Sequence, residues 1–210
     1  MEVEQFVRSI PVITRTIIAA SIVLSAAVTY EMVTPLNLIY SPTLVFQEKQ
    51  YWRLLTSLLY FDKLSINCLF HLHFLYMVSR QLEEHYYLRD SIRYIWTLLR
   101  GAALVLLLAS YLHIPFPSGP MVMVILYLWS RRYPDERMAL YFAFVVGAPY
   151  LPLIMLFLSY NMSGGDIQYL QGELGAVVIG HCLWYVSDVL PKIIGFDPTA
   201  LPTFVTAVFR

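Results

Sequence analysis

"QEKQYWRLLTSLLYF", residues Gln47–Phe61, is apolar and aromatic, yet Trp52 and Arg53 stand side by side in its middle. Lys49 lies within it, and Asp62 and Lys63 follow directly. Charge interrupts it too often for a bilayer crossing, and it is too apolar for a loop in water. Such a segment belongs at an interface. There an indole ring can be half wet, and a guanidinium can snorkel to phosphates or bond to loop carbonyls. What lies on either side of it decides the fold.

The whole chain is 59% hydrophobic and 13% charged, with a mean hydropathy of +0.63. A soluble domain carries about 25% charged residues, so this chain cannot clothe a water-facing surface. It is an integral membrane protein. Its formal net charge of zero gives no reason to expect nucleic acid as a partner. The two cysteines, Cys68 and Cys182, fall inside apolar runs and read as small hydrophobes. No CxxC pattern is present, so neither a metal site nor a cofactor is expected. The opening "MEVEQFVRSIPVITR" has acidic residues first and no small-residue cleavage site. The first span is therefore expected to act as its own insertion signal.

A membrane helix needs about 20 apolar residues, fewer where the bilayer thins. Six spans are expected: Thr16 to Val33, Asn67 to Val78, Ile95 to His113, Pro120 to Ser130, Met138 to Tyr160 and Leu174 to Leu190. Long uninterrupted runs without period-2 alternation require helices rather than a barrel. The second and fourth spans are short for a ~30 Å core, which calls for local thinning or burial among neighbours.

Six spans put both termini on one side. That side collects Arg8, Arg15, Arg80, Arg89, Arg93, Arg100, Arg131, Arg132, Arg137, Lys192 and Arg210, which leaves Lys49, Arg53 and Lys63 of the 14 Lys and Arg for the other. Such asymmetry places both termini in the cytosol. The opening stretch then lies in a long non-cytosolic loop, 34–66, with amphipathic pieces resting in the interface.

With these features in place, "QYWRLLTSLLYF", "LFHLHFLYMVSRQLEE", "LYLWSRRYP", "APYLP" and "GHCLWYVSDVLP" together resemble the derlin family, over about Ile10 to Pro191. The resemblance implies an all-α, rhomboid-like bundle of six transmembrane helices, a rhomboid pseudoprotease of the endoplasmic reticulum membrane with no enzyme activity. It implies a role in moving misfolded polypeptide clients to the cytosol for degradation, and a gap between the second and fifth spans that admits them. Trp52 and Arg53 match the family's Trp-Arg motif. Ala176 and Gly180 match its GxxxG pair, with Ala in the first place, which still permits close helix approach. The tail, 192–210, lacks the Gly/Phe-rich motif that binds a cytosolic AAA ATPase. The motor would then be reached indirectly, through an HRD-type ubiquitin ligase complex, as in short fungal members.

Two other functional classes compete with this one. An active rhomboid intramembrane serine protease needs a Ser near the outer end of the fourth span and a His base on the sixth, within hydrogen-bond reach. "FPSGP" offers Ser118, but Phe116 stands where a GxSG motif has Gly, and the base's slot falls near Glu173. His181, the one His on the sixth span, lies roughly 13 Å from the outer end. A small-solute channel would call for broken inverted repeats, and none is visible. His71 and His73, two apart on the second span, and His181 read as polar groups lining a groove. Glu83, Glu84 and Asp188 read as ion-pair partners at cytosolic helix ends near Arg80. Asn161-Met162-Ser163 is a sequon too close to a span to be modified.

Overall fold

The computed structural model describes residues 2–88, 90–140, 144–196 and 199. Arg89 and most of the tail at 192–210 lie outside the described residues. Helices dominate. A short amphipathic helix α1 (Glu2–Ser9) leads into α2 (Val12–Thr29). The loop that follows carries a 3-10 turn (Pro35–Asn37), α3 (Pro42–Phe46) and α4 (Trp52–Leu59). Next come α5 (Ile66–Gln81), continued by a π turn (Leu82–Tyr86), then α6 (Ser91–Leu112) and α7 (Ser118–Arg132). An antiparallel hairpin of β1 (Arg137–Leu140) and β2 (Phe144–Gly147) pairs Arg137 with Gly147. After a 3-10 turn (Ala148–Tyr150) come α8 (Leu151–Met162) and α9 (Ile167–Trp184), which runs through a π turn (Tyr185–Val189) into α10 (Leu190–Ile194).

Among the described residues, three helices are long and apolar enough to cross a membrane: Val12–Thr29, Ser91–Leu112 and Ile167–Ile194. Helices α5, α7 and α8 are shorter, at 16, 15 and 12 residues. Helix α7 is the centre of the bundle. Val122 to Ser130 are buried without a break, as befits a helix that is apolar all round. Outward-facing Val23, Leu107, Phe157 and Val178 remain exposed. Apolar groups left bare on several helices suit a surface solvated by lipid.

The helices depart from the expected spans for local reasons. Helix α2 begins at Val12 and ends at Thr29, four residues earlier than expected at each end. Pro11 fixes the start and Glu31, at φ 59°, turns the chain away just past the end. The second segment is not short. It stays helical from Ile66 to Tyr86, because Arg80 pairs with Glu84 one turn on, at 3.0 Å, and the charges continue the helix. The fifth span is cut down. Its first part, from Met138, is hairpin, and only Leu151–Met162 is regular α-helix. Pro149 and Pro152 have no N–H to bond to a carbonyl one turn upstream, so a continuous helix from Met138 would lose two of its backbone bonds there. The last helix starts at Ile167, seven residues early, where the Asp166 side chain accepts a bond from the Gln168 N–H at 2.8 Å.

Helix α9 lies against α7 and α6 through small residues. Ala176 is fully buried. A Cβ on Gly180 would sit 2.8 Å from the Tyr127 Cβ, and one on Gly172 would sit 2.7 Å from Ile114. Tyr127 Cβ is anchored to the α7 backbone and cannot step aside. Gly180→Ala is therefore expected to destabilise the protein by about 1–3 kcal/mol, read as a lower unfolding midpoint in detergent. Gly147→Ala, whose Cβ would meet only ordinary contacts beginning at 3.7 Å, serves as the control and should change little.

Candidate functional site

The Trp52–Arg53 pair opens α4, and its two side chains part company. Trp52 is 55% exposed, whereas Arg53 is 6% exposed. The guanidinium turns back into the loop. Its Nη1 donates to the Leu36 carbonyl at 2.8 Å and the Ile39 carbonyl at 3.0 Å. Its Nε donates to Gln50 Oε1 at 2.6 Å. One planar cation thus holds three acceptors from two parts of the loop. The loop is in turn packed onto the bundle. Val45 is fully buried beside Tyr40 and Ala109, and the Tyr40 hydroxyl lies 2.7 Å from Ser110 Oγ. Val28, Leu38 and Tyr60 form a second small core at the same end.

The opposite end of the bundle carries a denser polar cluster, which the sequence marked only through "SRQLEE" and "WSRR". Glu83 is fully buried and forms no ion pair among the described residues. Its carboxylate accepts from Ile13 N at 3.0 Å, Thr14 N at 2.8 Å and Thr14 Oγ1 at 2.8 Å. It caps α2 from outside that helix. The Thr14 hydroxyl also meets Ser79 Oγ, which meets the Tyr94 hydroxyl, so α2, α5 and α6 are joined. Beside them Arg132 pairs with Asp188 at 2.9 Å, donates to the Tyr87 hydroxyl and stacks over the Tyr86 ring at 3.7 Å. Tyr86 donates to the same Asp188, which secures α5, α7 and α9 together. Trp129 Nε1 donates to Gln81 Oε1. The ion-pair expectation holds for Asp188 and Glu84, with Arg132 and Arg80 as their partners. It is corrected for Glu83, whose carboxylate accepts from two backbone N–H groups and from the Thr14 and Ser91 hydroxyls.

Between the two clamped ends, a cavity of about 310 Å³ opens between α5 and the hairpin and α8. His71 and His73 both border it, although i and i+2 leave a helix about 200° apart. His71 also stacks on Phe61, centroids 6.2 Å apart. His181 does not border it and is corrected as a groove residue. It is exposed on α9, with Nδ1 2.8 Å from the Tyr127 hydroxyl, and Arg131 lies over the neighbouring Tyr127 and Trp184 rings. Ser118 is buried at the start of α7, about 13 Å along the axis from Tyr127. The α9 residues beside Ser118–Gly119 are Tyr169 and Glu173. A Cβ on Gly119 would lie 2.8 Å from Glu173 Oε1. The Ser118–His181 pair is thus not assembled, and the position alongside the serine holds a carboxylate.

An apolar helical bundle with lipid-type exposure, pinned by buried Arg and Glu side chains at its two ends, is a polytopic membrane protein without an assembled Ser–His pair. A model of the Der1-like family matches residues 10–199. The chain is 30% identical to Derlin-2.1 of Zea mays, covering 99% of this chain and 86% of that protein. It is 29% identical to Derlin-2.2 of Arabidopsis thaliana, with 99% and 88% covered. It is 29% identical to the probable derlin-2 homolog of Dictyostelium discoideum, with 90% and 76% covered. The chain belongs to the Der1-like family and is a derlin.

The Arg53 geometry makes a specific expectation. An ammonium is a single point donor and cannot serve Gln50 and two carbonyls in the guanidinium's fork. In Arg53→Lys, as in Arg53→Ala, protease added to the face that carries this loop should cut within 34–51 severalfold faster than in wild type. Trp52→Ala, which removes an exposed ring, should leave that rate nearly unchanged. Limited proteolysis read by mass spectrometry checks both.

Proposed function

We propose that this protein is a non-enzymatic component of endoplasmic-reticulum-associated degradation that helps misfolded polypeptides leave for the cytosol. The observation that carries it is the cavity beside α5, lined partly by polar His71, His73, Gln81 and Arg137 and flanked by the hairpin and short α8. A polypeptide in transit exposes backbone groups that hydrocarbon cannot satisfy. Short helices imply a thinned bilayer, and polar groups along the gap lower that penalty further. In this account α2, α5, α6, α7, α8 and α9 are the six membrane-embedded helices, with both termini cytosolic. The gap between α5 and α8 admits the client sideways. The Arg53-held loop forms the lumenal rim. Clients are met through exposed unfolded backbone rather than through a sequence. An HRD-type ubiquitin ligase complex is the proposed partner, and the AAA ATPase acts through it. The Ser118–His181 separation supports the absence of proteolysis.

Orientation is tested with single cysteines in a background where Cys68 and Cys182 are replaced. Asp135→Cys, on the exposed turn after α7, should react with an impermeant thiol reagent in sealed cytosol-side-out vesicles, and Glu48→Cys should not. The reverse pattern overturns the topology. Function is tested by chasing a misfolded lumenal client in cells lacking the endogenous derlin. The wild-type chain should restore turnover, and Ser118→Ala should restore it equally. Arg53→Ala should leave client half-life severalfold longer at unchanged derlin level. Full rescue by Arg53→Ala would reduce the Trp52–Arg53 pair to an interfacial anchor.

A further inference from the structure

Most arginines at the cytosolic end have partners. Arg80 is paired with Glu84, Arg93 with Asp90 and Arg132 with Asp188, while Arg131 lies over two rings. Arg137 differs. It is exposed on β1 at the edge of the α5 cavity and has no carboxylate partner among the described residues, although Asp135 and Glu136 precede it in the chain. The cavity behind it is mainly apolar, walled by Phe70, Met77, Met138 and Met155, with Gln81 beside the arginine end. From Phe70 to Gln81 the axis of α5 rises about 16 Å. That is about half of a ~30 Å hydrocarbon core, the depth of one leaflet.

We infer that this cavity is a binding site for one anionic phospholipid of the cytosolic leaflet, its phosphate on Arg137 and an acyl chain laid along α5. The inference rests on the bilayer orientation proposed above. Three observations select this occupant. A cation with no carboxylate partner among the described residues, at the interfacial end, complements a phosphate, and the cytosolic leaflet is the one rich in anionic lipid. An apolar, methionine-rich wall accepts a flexible chain of varied shape. Along Phe70, Phe74, Met77, Met138 and Met155 an extended peptide's backbone N–H and C=O groups find no side-chain partner, whereas an acyl chain needs none. A resident lipid seals the gap at rest and is what a client displaces when it enters.

The test uses the full chain in phosphatidylcholine nanodiscs with a trace of phosphatidylserine carrying a photoreactive group midway along one acyl chain. Adducts mapped by mass spectrometry should concentrate on 70–81 of α5 and on Met138 and Met155, and excess unlabelled phosphatidylserine should compete them away. Arg137→Gln should reduce labelling about fivefold, the effect of one basic residue at an anionic surface. Arg137→Lys should retain it, and Met155→Trp, which fills the groove, should abolish it. Three results would each overturn the site. One is labelling spread over Val23, Leu107 and other exposed positions in proportion to exposure. Another is labelling indifferent to Arg137→Gln and Met155→Trp. The third is a photoreactive residue at position 77 that captures polypeptide and no lipid. Lipid labelling and client half-life are separate readouts, so loss of the lipid site leaves the degradation role standing, and failure of the client assay leaves the lipid result intact.

Discussion

The interaction on which the rest depends is the buried carboxylate of Glu83 against the first turn of α2. A helix starts with N–H groups that have no partner within it, and in an apolar surrounding each one left bare is destabilising. Pro11, Val12 and Ile13 offer no side-chain acceptor, and α2 has no cap of its own. The acceptor comes from about 70 residues away. Hydrogen bonds to a charged group contribute about 1.5–3 kcal/mol each, and here three converge on one side chain. The arrangement binds both ways. The helix start needs the carboxylate, and the fully buried carboxylate needs those donors. Ser79 and Tyr94 extend it into α6. The Arg132–Asp188 pair with its two tyrosines does the same for α7 and α9.

The bundle is thus pinned at one end by Glu83 and Arg132 and at the other by Arg53. Each is a charged side chain taken out of solvent and fully engaged with fixed partners. The middle is held differently, by close approach of α9 to α7 where Gly180 abuts Tyr127. Rigid ends and a close-packed α6–α7–α9 core leave one flank thin, where the hairpin and the 12-residue α8 face α5. The proposed lateral passage lies on that flank, apart from the residues that form the clamps.

Much of this was legible in the sequence. Composition fixed the membrane class, the opening stretch was placed in a loop between α2 and α5, and motif resemblance led to the derlin family. Four things were not legible. Arg80, Glu83 and Glu84 look like the end of a hydrophobic run, yet an i,i+4 pair and a long-range cap carry the helix through them. The apolar stretch from Met138 has the composition of a span, but Pro149 and Pro152 divide it, and hydropathy averages over that break. Glu83 offered a signal, an acidic residue close to the end of an apolar helix. Its partners include two backbone N–H groups of α2, which no side-chain pattern displays. His71, His73 and His181 looked equivalent as polar residues in apolar helices; only three-dimensional packing puts two at the gap and the third on Tyr127.

The central claim is that the flank between α5 and α8 must open for a client to pass. The most direct measurement joins that flank covalently. With Cys68 and Cys182 replaced, Met77→Cys and Met155→Cys put one thiol on each side of the cavity, and a short bismaleimide bridges them in permeabilised cells. The account predicts that bridging halts degradation of a misfolded client, while either single cysteine treated with the same reagent supports normal turnover and the protein stays folded. Normal client turnover by the bridged protein would contradict it.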